Sequence, residues 1–282
     1  MTRIALITDS SNDLSPEILE RYDIRVVPLL IHFGEDEQPD TWENRELFWR
    51  RFADGEIPRS AAPSPGAFSA AFSQALEQAD EVIAITVTSK HSSTYNSALL
   101  AAGEFDGRVH VFDSWGISLG EGMQVLRAAE RIEQGMDAAA ILADLEEARS
   151  RLRIILYLDS LDAIQRGGRI ALAMSAVKRM SSMLSVKIIL AINEGELGLA
   201  GGVRSPKNGM RHIVQAISGQ RAEQVAVAHT RAPQFAEKLA DMAAPALDFP
   251  REEILVAEAG PILGVHGGAR AFGVTFFEKP SE

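Results

Sequence analysis

The most constraining feature of this chain is an unbroken succession of strand, hydroxyl-rich loop and helix across residues 82–98. VIAITV is an apolar run of strand length, TSKHSSTYNS follows it, and SALLAAGEF is a helix former. Thr88, Ser89, Ser92, Ser93, Thr94 and Ser97 place six hydroxyls there, with Ser97 expected inside the helix. Open α/β sheets bind ligands beyond the carboxyl ends of their parallel strands. Hydroxyl donors beside the free N–H groups of a helix start suit an anion. The loop has one His and no acid, which points to oxyanion recognition rather than metal chemistry. A Ser-rich turn that only caps its helix is the alternative.

The first half of the chain repeats this alternation. RIALITD reads as a buried strand, PEILERY as a helix, and IRVVPLLIHF as a second strand. An acidic, solvated loop over residues 35–40 is expected next, then a helix in NRELFWRRFADG with Trp42 and Trp49 on a packed face. PSPGAFSAAFSQALEQA reads as a helix with Pro65 near its start, where the missing N–H does little harm. VHVFDS gives a fourth strand and is followed by two helices. This spacing implies parallel pairing through right-handed crossovers.

The second half differs. IILYL is a strand, IALAMSAVKRMSSML an apolar helix, and VKIILAI-NEG-ELGLAG an antiparallel hairpin. Further strands in QVAVAHT, EEILVAEAG and ARAFGVTFF, mixed with two helices, predict a mixed sheet. The expected organisation is therefore an α/β protein of two domains. Residues 1–150 carry a parallel sheet of about four strands, and residues 151–282 a mixed sheet of about six.

With no cysteine among 282 residues, disulfides, thiolate metal sites and thiol nucleophiles are excluded. The net charge of −11 argues against a general nucleic-acid binder. Residues 163–222, however, hold nine Lys and Arg against two acids, a local +7 that leaves −18 elsewhere. Such a basic island suits an acidic ligand, a phosphate or an acidic partner. The apolar run IALI is too short for a signal-peptide core, and no run approaches the ~20 apolar residues of a membrane span, so a cytoplasmic protein is expected.

Three of the four early strands end in hydroxyls: at Ser10 and Ser11, at the Thr88 loop, and at Ser114. Ser60, in PRSAAP, is expected in a loop that joins them. Convergent hydroxyls at an apolar sheet edge suit a small anionic head group, with affinity drawn from an apolar tail.

ITDSSNDL, PRSAAPSPGAF, TSKHSSTYNSA, DSWGISLGEG, RGGRI and GVHGGARAFG, in that order, resemble the motifs of the DegV family of bacterial fatty-acid-binding proteins. The resemblance spans essentially the whole chain. It implies a two-domain α/β fold that holds a long-chain fatty acid, such as palmitate, in a tunnel, with no other cofactor and no catalysis of its own. By the same resemblance Ser60, Ser92 and His266 hold the carboxylate, and Arg169 and Arg204 face a phosphoryl group or a partner. The implied partner is a separate fatty-acid kinase to which the acyl carboxylate is presented. The chain departs from the family pattern at Ala61 and Ala62 (Ser-Gln in the family), at His91 (Leu), at Ser93 (Gly), and at Gly268-Ala269-Arg270 after His266.

A rival reading is a serine hydrolase. Gly116-Ile117-Ser118-Leu119-Gly120 matches G-x-S-x-G, and Asp159, Asp162, His229 and His266 follow in Ser–Asp–His order. Against it, the preceding strand ends several residues before Ser118, and a tightly packed Gly-rich helix start explains the motif equally well. No phosphate-binding G-x-x-x-x-G-K-[ST] loop occurs. The six His show no i, i+4 pair. Asp9 and Asp113 are expected to cap turns at strand ends.

Overall fold

Short apolar runs bounded by turn residues build the first sheet. The computed structural model describes residues 2–160 and 186–280. In it Ile4–Asp9 (β1), Arg25–Val27 (β2), Glu81–Thr86 (β6) and Val109–Asp113 (β7) pair in parallel, in the order β2-β1-β6-β7. Val82 to Ile85 are fully buried, as a parallel strand covered on both faces must be. One face lies under α3 (Pro65–Leu76) and α4 (Thr94–Ala102), whose Phe68, Phe72, Ala98 and Ala101 pack with Ile7, Val82 and Ala84. Thr8 alternates to the other face and meets Glu121 of α5 (Leu119–Glu133). α6 (Ala138–Ser150) packs on α5, where Arg127 and Arg131 both reach Asp144.

The stretch IRVVPLLIHF is not one strand. It breaks into β2 and Leu30–Phe33 (β3), which belong to different sheets. Pro28 has no N–H to donate to a ladder, and the chain changes sheet there. β3 pairs antiparallel with Asp36–Pro39 (β4) and Pro58–Ala61 (β5), forming a three-stranded sheet that pattern reading did not anticipate. Two expectations fall with it. Much of the acidic segment at 35–40 is a strand turned through Gly34 (φ 62), and Ser60 lies within β5, opposite Ile31, rather than in a loop. α2 (Arg45–Ala53) buries Phe48 and Trp49, whereas Trp42 precedes it and is exposed.

In the second unit Leu152–Leu158 (β8), Lys187–Asn193 (β9), Glu196–Val203 (β10), Ala222–His229 (β11), Leu255–Glu258 (β12) and Phe272–Glu278 (β13) form one sheet, in the order β10-β9-β8-β13-β11-β12. β11 and β12 are parallel and the other pairs antiparallel, giving the expected mixed sheet. The β9–β10 hairpin turns at Glu194 (φ 48) and Gly195 (φ 81), the left-handed pair of a type I′ turn. α7 (Pro206–Ile217) and α8 (Pro233–Ala246) cover the sheet over a core that includes Tyr157 stacked on Phe272 at 4.5 Å.

The chain divides into one unit of Met1–Ser150 with Gly260–Ile262 and another of Arg151–Ala259 with Leu263–Glu282. The RGGRI motif with Arg169, Asp162 and the helix expected at IALAMSAVKRMSSML lie outside the described residues. Among the described residues no helix is long and apolar enough to cross a membrane.

Candidate functional site

At the carboxyl edge of the parallel sheet the hydroxyls are engaged by carboxylates that sequence reasoning did not assign to them. β1 ends at Asp9, which caps the 3-10 turn Ser10–Asn12 by accepting from Ser11 N at 2.9 Å. Its Oδ2 also accepts from Val87 N at 2.8 Å, tying the exit of β1 to the exit of β6. Ser11 Oγ contacts Asp9 Oδ1 and lies 3.0 Å from Glu121 Oε2. Ser10 Oγ donates to Asp40 at 2.8 Å and accepts from Leu29 N at 3.0 Å. Ser114 is buried and its Oγ accepts from Gly116 N at 3.0 Å. Two of the three hydroxyl-bearing strand ends therefore brace the fold, whereas in the loop after β6 Ser93 is exposed and Ser89 and Ser92 are half-buried.

Asp9, Asp13, Asp40 and Glu121 are buried carboxyls at this edge, and Arg45 lies beside Asp13. Asp13 (φ 56) accepts from Ser118 Oγ at 2.5 Å and from Gly260 N at 2.6 Å, with Arg45 at 3.6 Å. Burial nevertheless raises its pKa to about 6. Burial likewise raises Asp40 to about 7, against the Ser10 hydrogen bond. Burial, and then the charge of Asp9, drive Glu121 well above the usual carboxylate range. A cavity of about 260 Å³ opens beside Asp13 and Asp40, walled by Leu14, Leu19, Val26 and Trp42. Arg45 stacks 3.6 Å over the Trp42 ring.

Beyond β6 the loop is pinned at its base. Thr88 N donates to Gly116 O at 3.0 Å, and Ser89 N and Trp115 N both donate to Asp113 Oδ1, at 3.1 and 3.2 Å. Asp9 and Asp113 thus cap strand ends, as expected. Ser92 is half-buried, its Oγ 2.8 Å from Thr94 Oγ1 and accepting from Thr94 N at 3.2 Å. The hydroxyl therefore stands at the start of α4, beyond the carboxyl end of a parallel strand. Ser60 and Ser92 belong to the first unit, Ser60 on the three-stranded sheet and Ser92 in the loop that follows β6 of the parallel sheet. Arg204 and His266 belong to the second: Arg204 is exposed just after β10, and His266 is half-buried in the short helix Pro261–Gly267 (α9).

Ser118 has the strained backbone of an elbow serine, φ 52 and ψ −136, immediately before α5. Its Oγ donates to the carboxylate of Asp13, and no histidine is bonded to it among the described residues. His229 Nδ1 accepts from Ala232 N at 3.2 Å, and burial lowers its pKa. The tight helix start, not a nucleophile–base pair, is what the motif builds. Gly122 shows why: a Cβ there would lie 2.4 Å from Asn12 O.

The sequence of these loops along a doubly covered parallel sheet has counterparts. A family model described as "Uncharacterised protein, DegV family" matches residues 3–279. The chain belongs to the DegV family. A DegV domain-containing protein of Caldanaerobacter subterraneus subsp. tengcongensis is 34% identical, over 99% of this chain and 100% of the relative. A DegV family protein from Thermus thermophilus, described for its fatty acid binding, superposes with a TM-score of 0.88 at 33% identity, over 98% of this chain and all of that one. DegV of Bacillus subtilis, a fatty acid binding protein, gives 0.83 at 27% identity, over 99% of this chain and all of that one. The DegV fold accounts for the two sheets, parallel and mixed.

Proposed function

We propose that this chain binds a long-chain fatty acid as a cytoplasmic, non-catalytic carrier and presents its carboxylate to a separate fatty-acid kinase. The observation that carries the reading is a full-length DegV match whose 33%-identical structural counterpart is a fatty-acid binder. Ser92 supports it locally, as a half-buried hydroxyl at a helix start beyond a parallel strand. In this reading Ser60, Ser92 and His266 hold the carboxylate, while Arg169 and Arg204 meet the phosphoryl group or the kinase.

The energetics suit a carrier. About fourteen buried methylenes at ~0.8 kcal/mol each supply roughly 11 kcal/mol before ordering losses. The tail provides affinity and the hydroxyls set orientation. Mass spectrometry of an organic extract of the purified protein tests the class: a stoichiometric fatty acid is expected. Absence of lipid, even after incubation with a fatty-acid mixture, overturns the reading. Ser92→Ala is expected to weaken fatty-acid binding by about 1–3 kcal/mol, roughly one to two orders of magnitude in Kd, by leaving a buried carboxylate short of a donor. Calorimetric titration that gave an unchanged Kd would remove Ser92 from the site.

A further inference from the structure

The hydroxyl of Ser11 has one proton and two carboxyl neighbours, Asp9 Oδ1 in contact and Glu121 Oε2 at 3.0 Å. With both acids ionised, one of these contacts would set lone pair against lone pair. A second proton is required, and the surroundings say where it resides. Burial raises the pKa of Asp9 as well, but Asp9 accepts the backbone N–H groups of Ser11 and Val87, which favour its charged form and which Glu121, among the described residues, lacks. Glu121 is fully buried, and among the described residues its carboxyl is hydrogen-bonded to hydroxyls, with Thr8 Oγ1 donating to Oε1 at 2.8 Å and Ser11 Oγ at 3.0 Å from Oε2.

We propose that Glu121 is a neutral carboxylic acid whose proton is donated to Ser11 Oγ, so that Thr8, Glu121, Ser11 and Asp9 form a one-way hydrogen-bond relay. Thr8 donates to Glu121, Glu121 to Ser11, and Ser11 to Asp9. The relay ends on an ionised Asp9, which holds Val87 N at the root of the Ser92 loop. Glu121 and Asp9 are positioning residues for that loop. This last step rests on the ligand reading given above, whereas the proton count does not.

The charged surroundings are consistent with a neutral Glu121. Asp9 and Asp13 face it from β1 and the turn that follows, and both disfavour a further negative charge. Asp40 lies across Ser10, and Arg45 sits beside Asp13 at 3.6 Å. On α6, Asp144 is held by Arg127 and Arg131. On β6, Glu81 pairs with His110 at 3.1 Å, at the opposite end of the strand from the Ser92 loop.

Glu121→Gln imitates the neutral acid, with Nε2 donating to Ser11 and Oε1 accepting from Thr8. A wild-type chain that must gain a proton at Glu121 to fold loses stability relative to this variant as pH rises. The ratio of the two folding constants is expected to grow about tenfold per pH unit above the ordinary Glu value of 4.5, until Glu121 ionises in the folded state. A ratio that stayed constant from about pH 5 to about pH 8 would overturn the proposal. The infrared spectrum of delipidated wild-type protein provides a second reading, independent of whether the variant folds. At about pH 8 Asp13 and Asp40 have titrated, and a protonated-carboxyl band that shifts on ¹³C-glutamate labelling is expected. Its absence would equally sink the idea. Amide exchange reports the positioning role: Val87 N–H stays protected in Glu121→Gln and loses protection in Asp9→Asn. Wild-type protein that showed the pH slope but bound no fatty acid would leave the relay standing and reject the ligand reading.

Discussion

At the scale of single residues, the hydroxyls of this sheet edge show how far side-chain identity can be read. Ser10, Ser11, Ser92 and Ser114 look alike in the sequence, yet only Ser92 is neither buried nor bonded to a carboxylate. Beside the local Asp9, the carboxyl groups that engage Ser10 and Ser11 lie 30 and 110 residues away, at Asp40 and Glu121. No local pattern links residues so distant. Glu121 in particular reads as an ordinary acid in the first turn of a helix, and only the close approach of α5 to the turn after β1 buries it. That approach depends on Gly122. Gly122→Ala places a Cβ against backbone at Asn12, where no side chain can swing aside. Its expected effect is a loss of about 1–3 kcal/mol, as for overpacked cores, read as a lower urea midpoint with an unchanged m-value.

At the scale of elements, periodicity and turn residues were sufficient wherever strand and helix patterns were long. β1, β6, β7, the β9–β10 hairpin and α2 to α5 fall where the apolar runs place them. The three-stranded sheet was hidden for two physical reasons. β4 (DEQP) has no apolar face, and β5 (PRSA) is short and opens on proline, so both draw their strand character from pairing with β3. Propensity yields to tertiary pairing in such segments. The hairpin permits a test in the favourable direction. Glu194 occupies a left-handed position, φ 48, which Asn tolerates better than Glu. Glu194→Asn recreates the preferred Asn-Gly type I′ turn and is expected to stabilise the second unit by about 0.5 kcal/mol. Thermal unfolding followed by circular dichroism would show a raised midpoint; a lowered one would mean that the Glu194 side chain matters more than its backbone.

At the scale of the whole chain, the acidic balance is not confined to the surface: a fraction of it is buried at one sheet edge, and that burial gives stability a pH dependence with a definite sign. Asp13 and Asp40 ionise near pH 6 and 7 when folded, against 3.8 as free side chains. The folded state therefore holds more protons than the unfolded state between those values. Stability from these groups is fully present below about pH 4 and is lost as pH rises through 6 to 7. This is the reverse of salt-bridged carboxylates, which stabilise as they ionise. The three tryptophans, Trp42, Trp49 and Trp115, all lie in the first unit, so their fluorescence reports on the unit that carries these acids. Urea midpoints detected by tryptophan emission should fall from about pH 4 to about pH 7. Asp40→Asn, which keeps an acceptor for Ser10 and removes one titrating group, should make that decline shallower, with Glu121 still contributing its own slope. A wild-type midpoint that rose across this range would show that Arg45 dominates the edge and keeps its carboxylates charged.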